Sequence, residues 1–144
     1  GKTLGELFDC AVGRELFLVA FRESVDTARS QGVQIEAVIV DPQDYYFAES
    51  DSAARKTELL SRLVPFAKKY RGVTPSTLES LKRGRKSEID FLNGYILEKA
   101  QAKSLHLPLN DIVINQVHEI EAENRPIHPS NLNDLAAQLG IPIE

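Results

Sequence analysis

The residue types that can carry chemistry are most concentrated between Ser76 and Gly94. This stretch reads S-T-L-E-S-L-K-R-G-R-K-S-E-I-D-F-L-N-G and places two predicted helix N-termini on either side of a short basic loop. A helix N-terminus presents unpaired N–H groups and a positive dipole end, which together favour a carboxylate or a phosphate. The Ser76 hydroxyl can donate a hydrogen bond to such an anion, and Glu88 can accept one from a substrate hydroxyl or hold a cationic partner.

The same residues have a second interpretation, because Ser, Thr, Glu and Asp at helix starts commonly act as caps. From the spacing alone we favour capping over catalysis. The pair Asn93-Gly94 is more unusual, since a glycine inside a helix costs about 1 kcal/mol relative to alanine. It predicts the close approach of another helix or of a ligand, or simply the packing of two helices.

Helical periodicity covers most of the chain that must position these residues. From Arg14 to Ser30 the apolar residues recur three or four positions apart, which predicts a helix buried over much of its girth and ended by Gly32. Apolar and polar residues alternate loosely over segment 33–40, which predicts a short extended piece. Pro42–Ser52 is predicted to be a loop or a single helical turn that packs its aromatic side chains on the core. A further helical face is formed by Leu59, Leu63, Phe66, Ala67 and Tyr70 and closed by Gly72.

Capping residues predict where the later helices begin. Thr74 and Pro75 suit the N-cap and the first helical position, whereas Ser76 with Glu79 forms a capping box in an alternative register, and both options stay open. Residues Ser87–Asp90 also have the capping-box form. The helices that follow are marked by Leu92, Ile96 and Ala100, by Pro108, Asn110, Val113, Val117 and Ile120, and by Pro129–Gly140. We therefore predict an all-α fold, a compact bundle of about six or seven helices.

Composition limits the class of protein. The chain has 144 residues, of which 42% are hydrophobic and 26% charged, values that suit one globular domain. It has no long apolar run and no leader-like start, so we expect neither a membrane span nor export. Cys10 is the single cysteine, which excludes an intrachain disulfide and agrees with the reducing cytoplasm, where we expect the protein to lie. The net charge of −4 disfavours a general nucleic-acid binder.

Two other patterns are better explained as solvated surface. The basic run Lys82–Lys86 resembles a nucleic-acid signal, but it is short and lacks interleaved aromatic residues. His118-Glu119 lies in no H-E-x-x-H motif, and the other histidines supply no second ligand at helical spacing. We therefore expect no metal site.

Residues Ser87–Gly94 resemble the signature of the ketopantoate reductase family, (S/T)-E-I-D-x-x-N-G. Ser76 precedes Glu88 by twelve residues, as the family's substrate-binding serine precedes its active-site glutamate. The resemblance spans most of the chain, because the family's pattern is also matched by Leu4–Leu7, Gly84-Arg85 and Leu107–Asn110.

This resemblance implies that residues 1–144 form the helical C-terminal substrate or dimerisation domain of an NADPH-dependent reductase, similar to that of 6-phosphogluconate-dehydrogenase-like reductases. In the family, ketopantoate or another small 2-oxo acid lies between this domain and an N-terminal Rossmann domain that binds NADP, and its reduction to pantoate serves pantothenate biosynthesis. By resemblance, Glu88 is the catalytic residue that hydrogen-bonds the substrate hydroxyl and orients a lysine acid. Ser76 binds the substrate carboxylate, and Asn93 is a further candidate for substrate binding.

The chain also departs from the family pattern. It contains no G-x-G-x-x-G loop, and the catalytic lysine is expected before Gly1, so we expect this domain alone to be inactive and its own Rossmann domain to be its partner. Leu4 and Val73 stand where the family often has asparagine, and Ser80 where it has aspartate. These changes support a branched or small 2-oxo acid as the substrate class more firmly than ketopantoate specifically. The alternative is a non-catalytic helical binding or dimerisation module, with a homodimer as one outcome.

Overall fold

The computed structural model describes residues 1–37 and 41–143, and every regular element within them is helical. Seven α-helices follow one another in these residues: α1 (Leu4–Asp9), α2 (Ala11–Ser30), α3 (Ala53–Lys69), α4 (Ser76–Lys82), α5 (Tyr95–Gln101), α6 (Pro108–Glu121) and α7 (Ser130–Gln138). A 3-10 turn covers Pro42–Asp44, and a π-helical turn, Asp90–Gly94, runs directly into α5. The predicted all-α bundle of six or seven helices is confirmed.

Helix α2 joins the two larger parts of the hydrophobic core. One cluster combines its Val12 and Leu16 with residues of α6 and α7, which are Leu109, Leu135 and Ala136. The other combines its Leu18 with residues of α1 and α3, which are Phe8, Leu59 and Leu63. Since α2 contributes to both clusters, it is buried over much of its girth, as its dense apolar pattern predicts.

The segment after α2 agrees in part with its prediction. Pro42–Asp44 forms the helical turn, and Tyr45 and Phe47 pack against the cluster of Leu59 and Leu63. The Tyr46 hydroxyl donates to Asp26 Oδ1 over 2.7 Å, and burial, followed by this bond, raises the pKa of Tyr46. Residues 33–37 belong to neither a helix nor a strand, so the short extended piece predicted there stays a prediction. Residues 38–40 of that predicted piece lie outside the described residues.

A capping box begins α1. The Thr3 hydroxyl accepts from the Glu6 N–H over 3.2 Å, and the Thr3 N–H donates to the Glu6 carboxylate over 2.7 Å. The bonds from Thr3 lower the pKa of Glu6. The sequence T-L-G-E carries the Ser/Thr-x-x-Glu signature of this cap, which identifies the helix start.

Gly5 allows α1 to lie directly against the end of α3. A Cβ at this position would lie 2.8 Å from Arg71 Cα and 2.9 Å from the Ala67 carbonyl oxygen, both of them backbone atoms. We expect Gly5→Ala to lower the free energy of unfolding by about 1–3 kcal/mol, because the two backbones must separate. Urea denaturation measures this loss.

Gly94→Ala is the matched control. A Cβ there would meet nothing nearer than Asp90 Cβ at 3.7 Å, so alanine in this helical position should stabilise the protein by about 0.5–1 kcal/mol. Equal effects of the two substitutions would contradict the close contact at Gly5.

Within the part of the chain that the structure describes, no helix has the length and apolar character needed to span a membrane.

Candidate functional site

Ser76 is the first residue of α4, and its hydroxyl is not used as a cap. Pro75 is the N-cap residue, with an extended ψ of 143°, so the helix begins one residue later than a Thr74 cap would require. No side chain caps α4, and both capping registers considered from the sequence are therefore wrong. The exposed Ser76 hydroxyl has no hydrogen-bond partner among the described residues, which leaves it available to a ligand.

Glu88 lies at the start of the helix that leads into α5. Ser87 precedes it and is held by Glu121 of α6, whose Oε1 accepts from the Ser87 N–H over 2.7 Å and from its hydroxyl over 2.8 Å. The Ser87 hydroxyl also accepts from the Ile89 N–H over 3.4 Å. The capping box predicted between Ser87 and Asp90 is wrong, because Asp90 Oδ1 instead contacts His118 Nε2 over 2.8 Å.

The π-helical turn changes which side chains face the core. Ile89, just before it, is 4% exposed, whereas Leu92 within it is 53% exposed. Leu92 lies eight positions before the fully buried Ala100, which would place both near one face of a continuous α-helix, but a π turn bonds residue i to i+5 and shifts the phase of the helix. Phe91 and Tyr95 are also exposed, at 84% and 57%. The turn therefore presents an apolar surface next to Glu88.

A small core cluster places α4 and the Glu88 segment against the same helix. Ile89 packs with Ile114 and Val117 of α6, and Leu81 of α4 packs against the same group. Leu81, near the end of α4, and Ile89, directly after Glu88, thus both pack against α6.

Asn93 is the outer end of a buried polar network. Its Nδ2 donates to Asn110 Oδ1 over 2.8 Å, and Asn110 Nδ2 donates to Glu23 Oε2 over 2.6 Å. Glu23 is 3% exposed and also accepts from the backbone N–H groups of Leu109 and Asn110 over 2.8 and 3.0 Å. A carboxylate of α2 therefore caps the N-terminus of α6 and, through Asn110, supports the π turn.

Charged residues of both signs adjoin Glu88 along the chain, among them Lys86 and Asp90. Glu88 is exposed and forms no ion pair among the described residues, and neither do Arg85 and Lys86 in the preceding loop. Arg83 is paired with Glu79 over 3.1 Å. The segment thus combines a free carboxylate, which can accept from a hydroxyl, with free cations, which can pair with an anion.

Two features of the site differ from what the sequence analysis considered. The close approach of another helix to Gly94 is not found among the described residues, so that interpretation is wrong. Glu23 was not identified, although a charged residue on the core-facing stripe of α2 is a signal of a buried polar partner. No three His, Cys, Asp or Glu side chains of the described residues are grouped so as to hold a metal ion.

The geometry of this surface can be compared with known families. A family model described as "Ketopantoate reductase PanE/ApbA C terminal" matches residues 1–121. The chain belongs to this family. The matched segment of this reductase family runs from α1 to the end of α6 and includes Ser76, Glu88 and Asn93. No curated protein and no solved structure matches the chain significantly.

Proposed function

We propose that this chain is the substrate-binding helical domain of an NADPH-dependent 2-oxo-acid reductase. The observation that supports the proposal is the family match across residues 1–121, within which Ser76 and Glu88 lie at two helix starts with unpaired, exposed side chains. These side chains face no cavity of the chain among those found in the described residues. A second domain over this surface would complete an enclosed site.

The chemistry assigned to the chain is binding and orientation. The Ser76 hydroxyl donates to the carboxylate of the 2-oxo acid. The Glu88 carboxylate orients the lysine that protonates the C2 oxygen as the carbonyl is reduced, and it accepts from the hydroxyl of a substrate that carries one. Asn93 is the third residue proposed to contact the substrate. Its Nδ2 donates to Asn110, and this bond fixes the Asn93 side chain on the π turn.

The described residues do not fit the cofactor. They contain no strand followed by a glycine-rich turn and a helix, the arrangement that holds a dinucleotide pyrophosphate. We therefore assign no residue of this chain to NADP, which in this proposal is bound by a Rossmann domain of the same cytoplasmic protein.

The proposed substrate has an apolar side chain. Leu4 and Val73 are neighbours, because the Leu4 N–H donates to the Val73 carbonyl oxygen over 2.8 Å, and Val73 is 43% exposed. Val73 lies three residues before Ser76, which places the Leu4–Val73 pair near the start of α4. An apolar pair offers no partner to a substrate hydroxyl and favours a branched or small 2-oxo acid without one.

The test compares two acids that differ by a single hydroxyl. We expect the full-length protein to oxidise NADPH with 3,3-dimethyl-2-oxobutyrate at a kcat/KM at least equal to that with ketopantoate, its 4-hydroxy derivative. Leu4→Asn with Val73→Asn should shift the ratio toward ketopantoate, because both amides can bond the additional hydroxyl. A strong preference of the unchanged protein for ketopantoate would contradict the substrate class but keep the reaction.

A second candidate function is supported by the exposed Phe91, Leu92 and Tyr95. A non-catalytic binding or dimerisation module would use such an apolar surface for its partner. If the folded full-length protein turns over neither acid and sediments as a dimer, this alternative replaces the reductase.

A further inference from the structure

The π turn is attached to α6 by two hydrogen bonds between side chains. Asp90 begins the turn, and its Oδ1 lies 2.8 Å from His118 Nε2. Because a carboxylate only accepts hydrogen bonds, the imidazole is the donor of this pair. Asn93 lies near the other end of the turn and donates from Nδ2 to Asn110 Oδ1 over 2.8 Å. A π turn is a rare conformation, and α6 supplies contacts that hold it from outside the helix.

The bond at Asn93 is the better supported of the two. Asn110 is buried, and its Nδ2 donates to the buried carboxylate of Glu23 over 2.6 Å. The Asn110 amide is therefore held at its nitrogen, which leaves its oxygen for Asn93. The side chains of His118 and Asp90 are 45% and 67% exposed, and exposed pairs of this kind contribute little. We therefore expect the attachment to depend mainly on Asn110.

Glu88 depends on the π turn for its position. Its carbonyl oxygen accepts from the N–H groups of Phe91 and Leu92 over 3.1 and 3.0 Å, and both donors belong to the turn. The Glu88 side chain forms no hydrogen bond or ion pair within the described residues, so its backbone sets where the carboxylate lies. Ile89, which joins Glu88 to the turn, also packs against α6. A change at α6 can therefore reach Glu88 through the turn.

We propose that Asn110 and His118 are positioning residues of the reductase, which hold the π turn so that Glu88 can orient the lysine acid. The inference rests on the function proposed above, because it concerns the role assigned to Glu88. Neither α6 side chain touches the substrate, and each acts through the turn. Misplacing a catalytic group by about 1 Å can lower turnover by about 10²-fold, so a small movement of the turn is sufficient.

The test is a pair of double-mutant cycles on kcat in the full-length protein, with NADPH and whichever of the two 2-oxo acids is reduced faster. We expect Asn110→Ala to lower kcat by about 10- to 100-fold and His118→Ala by about two- to fivefold. In a Glu88→Ala background the same substitutions should lower kcat no further, because the group through which they act is gone. General damage to the fold would lower kcat in both backgrounds, and such additive losses overturn the proposal.

A conservative variant and a control variant complete the test. His118→Gln keeps a donor for Asp90, so its kcat should lie closer to the wild-type value than that of His118→Ala. Asn115→Ala removes an exposed amide of the same helix that forms no hydrogen bond among the described residues, and it should leave kcat within about twofold. His118 is half-exposed, so its variants should fold even if Asn110→Ala does not, and its cycle then decides the question.

The positioning role and the proposed function fail in different ways. Near-normal kcat in Glu88→Ala would remove the role assigned to Glu88 and the positioning role with it. If Glu88→Ala loses activity but Asn110→Ala and His118→Ala do not, the assignment of Glu88 stands and the positioning role is overturned. Equal losses in His118→Gln and His118→Ala would overturn the part assigned to the bond with Asp90.

Discussion

Replacing Glu88 with alanine in the full-length protein is expected to lower kcat for 2-oxo-acid reduction by about 10²–10⁴-fold. The proposed role requires a negative charge that orients the lysine acid and an acceptor for the hydroxyl of a substrate that carries one, and alanine supplies neither. The fold should be unchanged, because Glu88 is exposed and its side chain bonds to nothing among the described residues. NADPH oxidation at saturating 2-oxo acid measures the loss.

Two further variants test whether the loss of activity depends on the carboxylate of Glu88 in particular. Glu88→Gln keeps an acceptor and the size of the side chain, so its activity should lie between those of the wild type and Glu88→Ala. Glu98→Ala removes an equally exposed glutamate of α5, whose side chain is 70% exposed and paired only with Lys99, and should leave kcat within about twofold. Near-normal turnover by Glu88→Ala would remove Glu88 from the mechanism.

The largest loss of stability is expected from Glu23→Ala. This substitution removes three hydrogen bonds to a buried carboxylate, each worth roughly 1.5–3 kcal/mol, and leaves the first N–H groups of α6 without a partner. We expect the free energy of unfolding to fall by at least about 3 kcal/mol in urea denaturation. The π turn should loosen at the same time, because Asn110 loses the bond that orients its amide toward Asn93.

The same helix supplies the control for Glu23. Glu15 forms an ion pair of 2.6 Å with Lys56 near the surface, where such pairs contribute roughly 0.2–1 kcal/mol, so Glu15→Ala should have a small effect. A loss of similar size in both variants would mean that the buried network adds nothing beyond an ordinary surface contact. Glu23→Gln, which keeps one acceptor oxygen, should fall between the two.

The fold was predictable from the sequence because its helices follow the 3.6-residue period and end at recognisable residues. Leu59 and Leu63, predicted to share one face, are both fully buried, and Gly72 adopts a φ of 75° after α3. Periodicity failed where the helix was not an α-helix. A π turn has no sequence signature of its own, so the outward position of Leu92 could not be foreseen.

The candidate site was predictable only in part. The sequence pattern identified Ser76 and Glu88 through their resemblance to a family, and the structure leaves both side chains free to act. Glu23 was missed because its role depends on tertiary partners 86 and 87 positions away. Local spacing carries no information about such partners, although a polar residue on an apolar stripe is a reason to look for one.

The π turn at Asp90–Gly94 sets the direction of Glu88 through the way one residue is wound. Each residue of an α-helix advances the chain by about 100° and about 1.5 Å. A π turn closes from residue i to i+5 and so takes up one residue more than an α-turn in a single wider turn. If the same residues were wound as an ordinary α-helix, the Glu88 end would rotate by about 100° relative to Ala100 with every side chain still present. Deleting one residue within the turn should instead restore an α-helix and leave Glu88 in nearly its present direction.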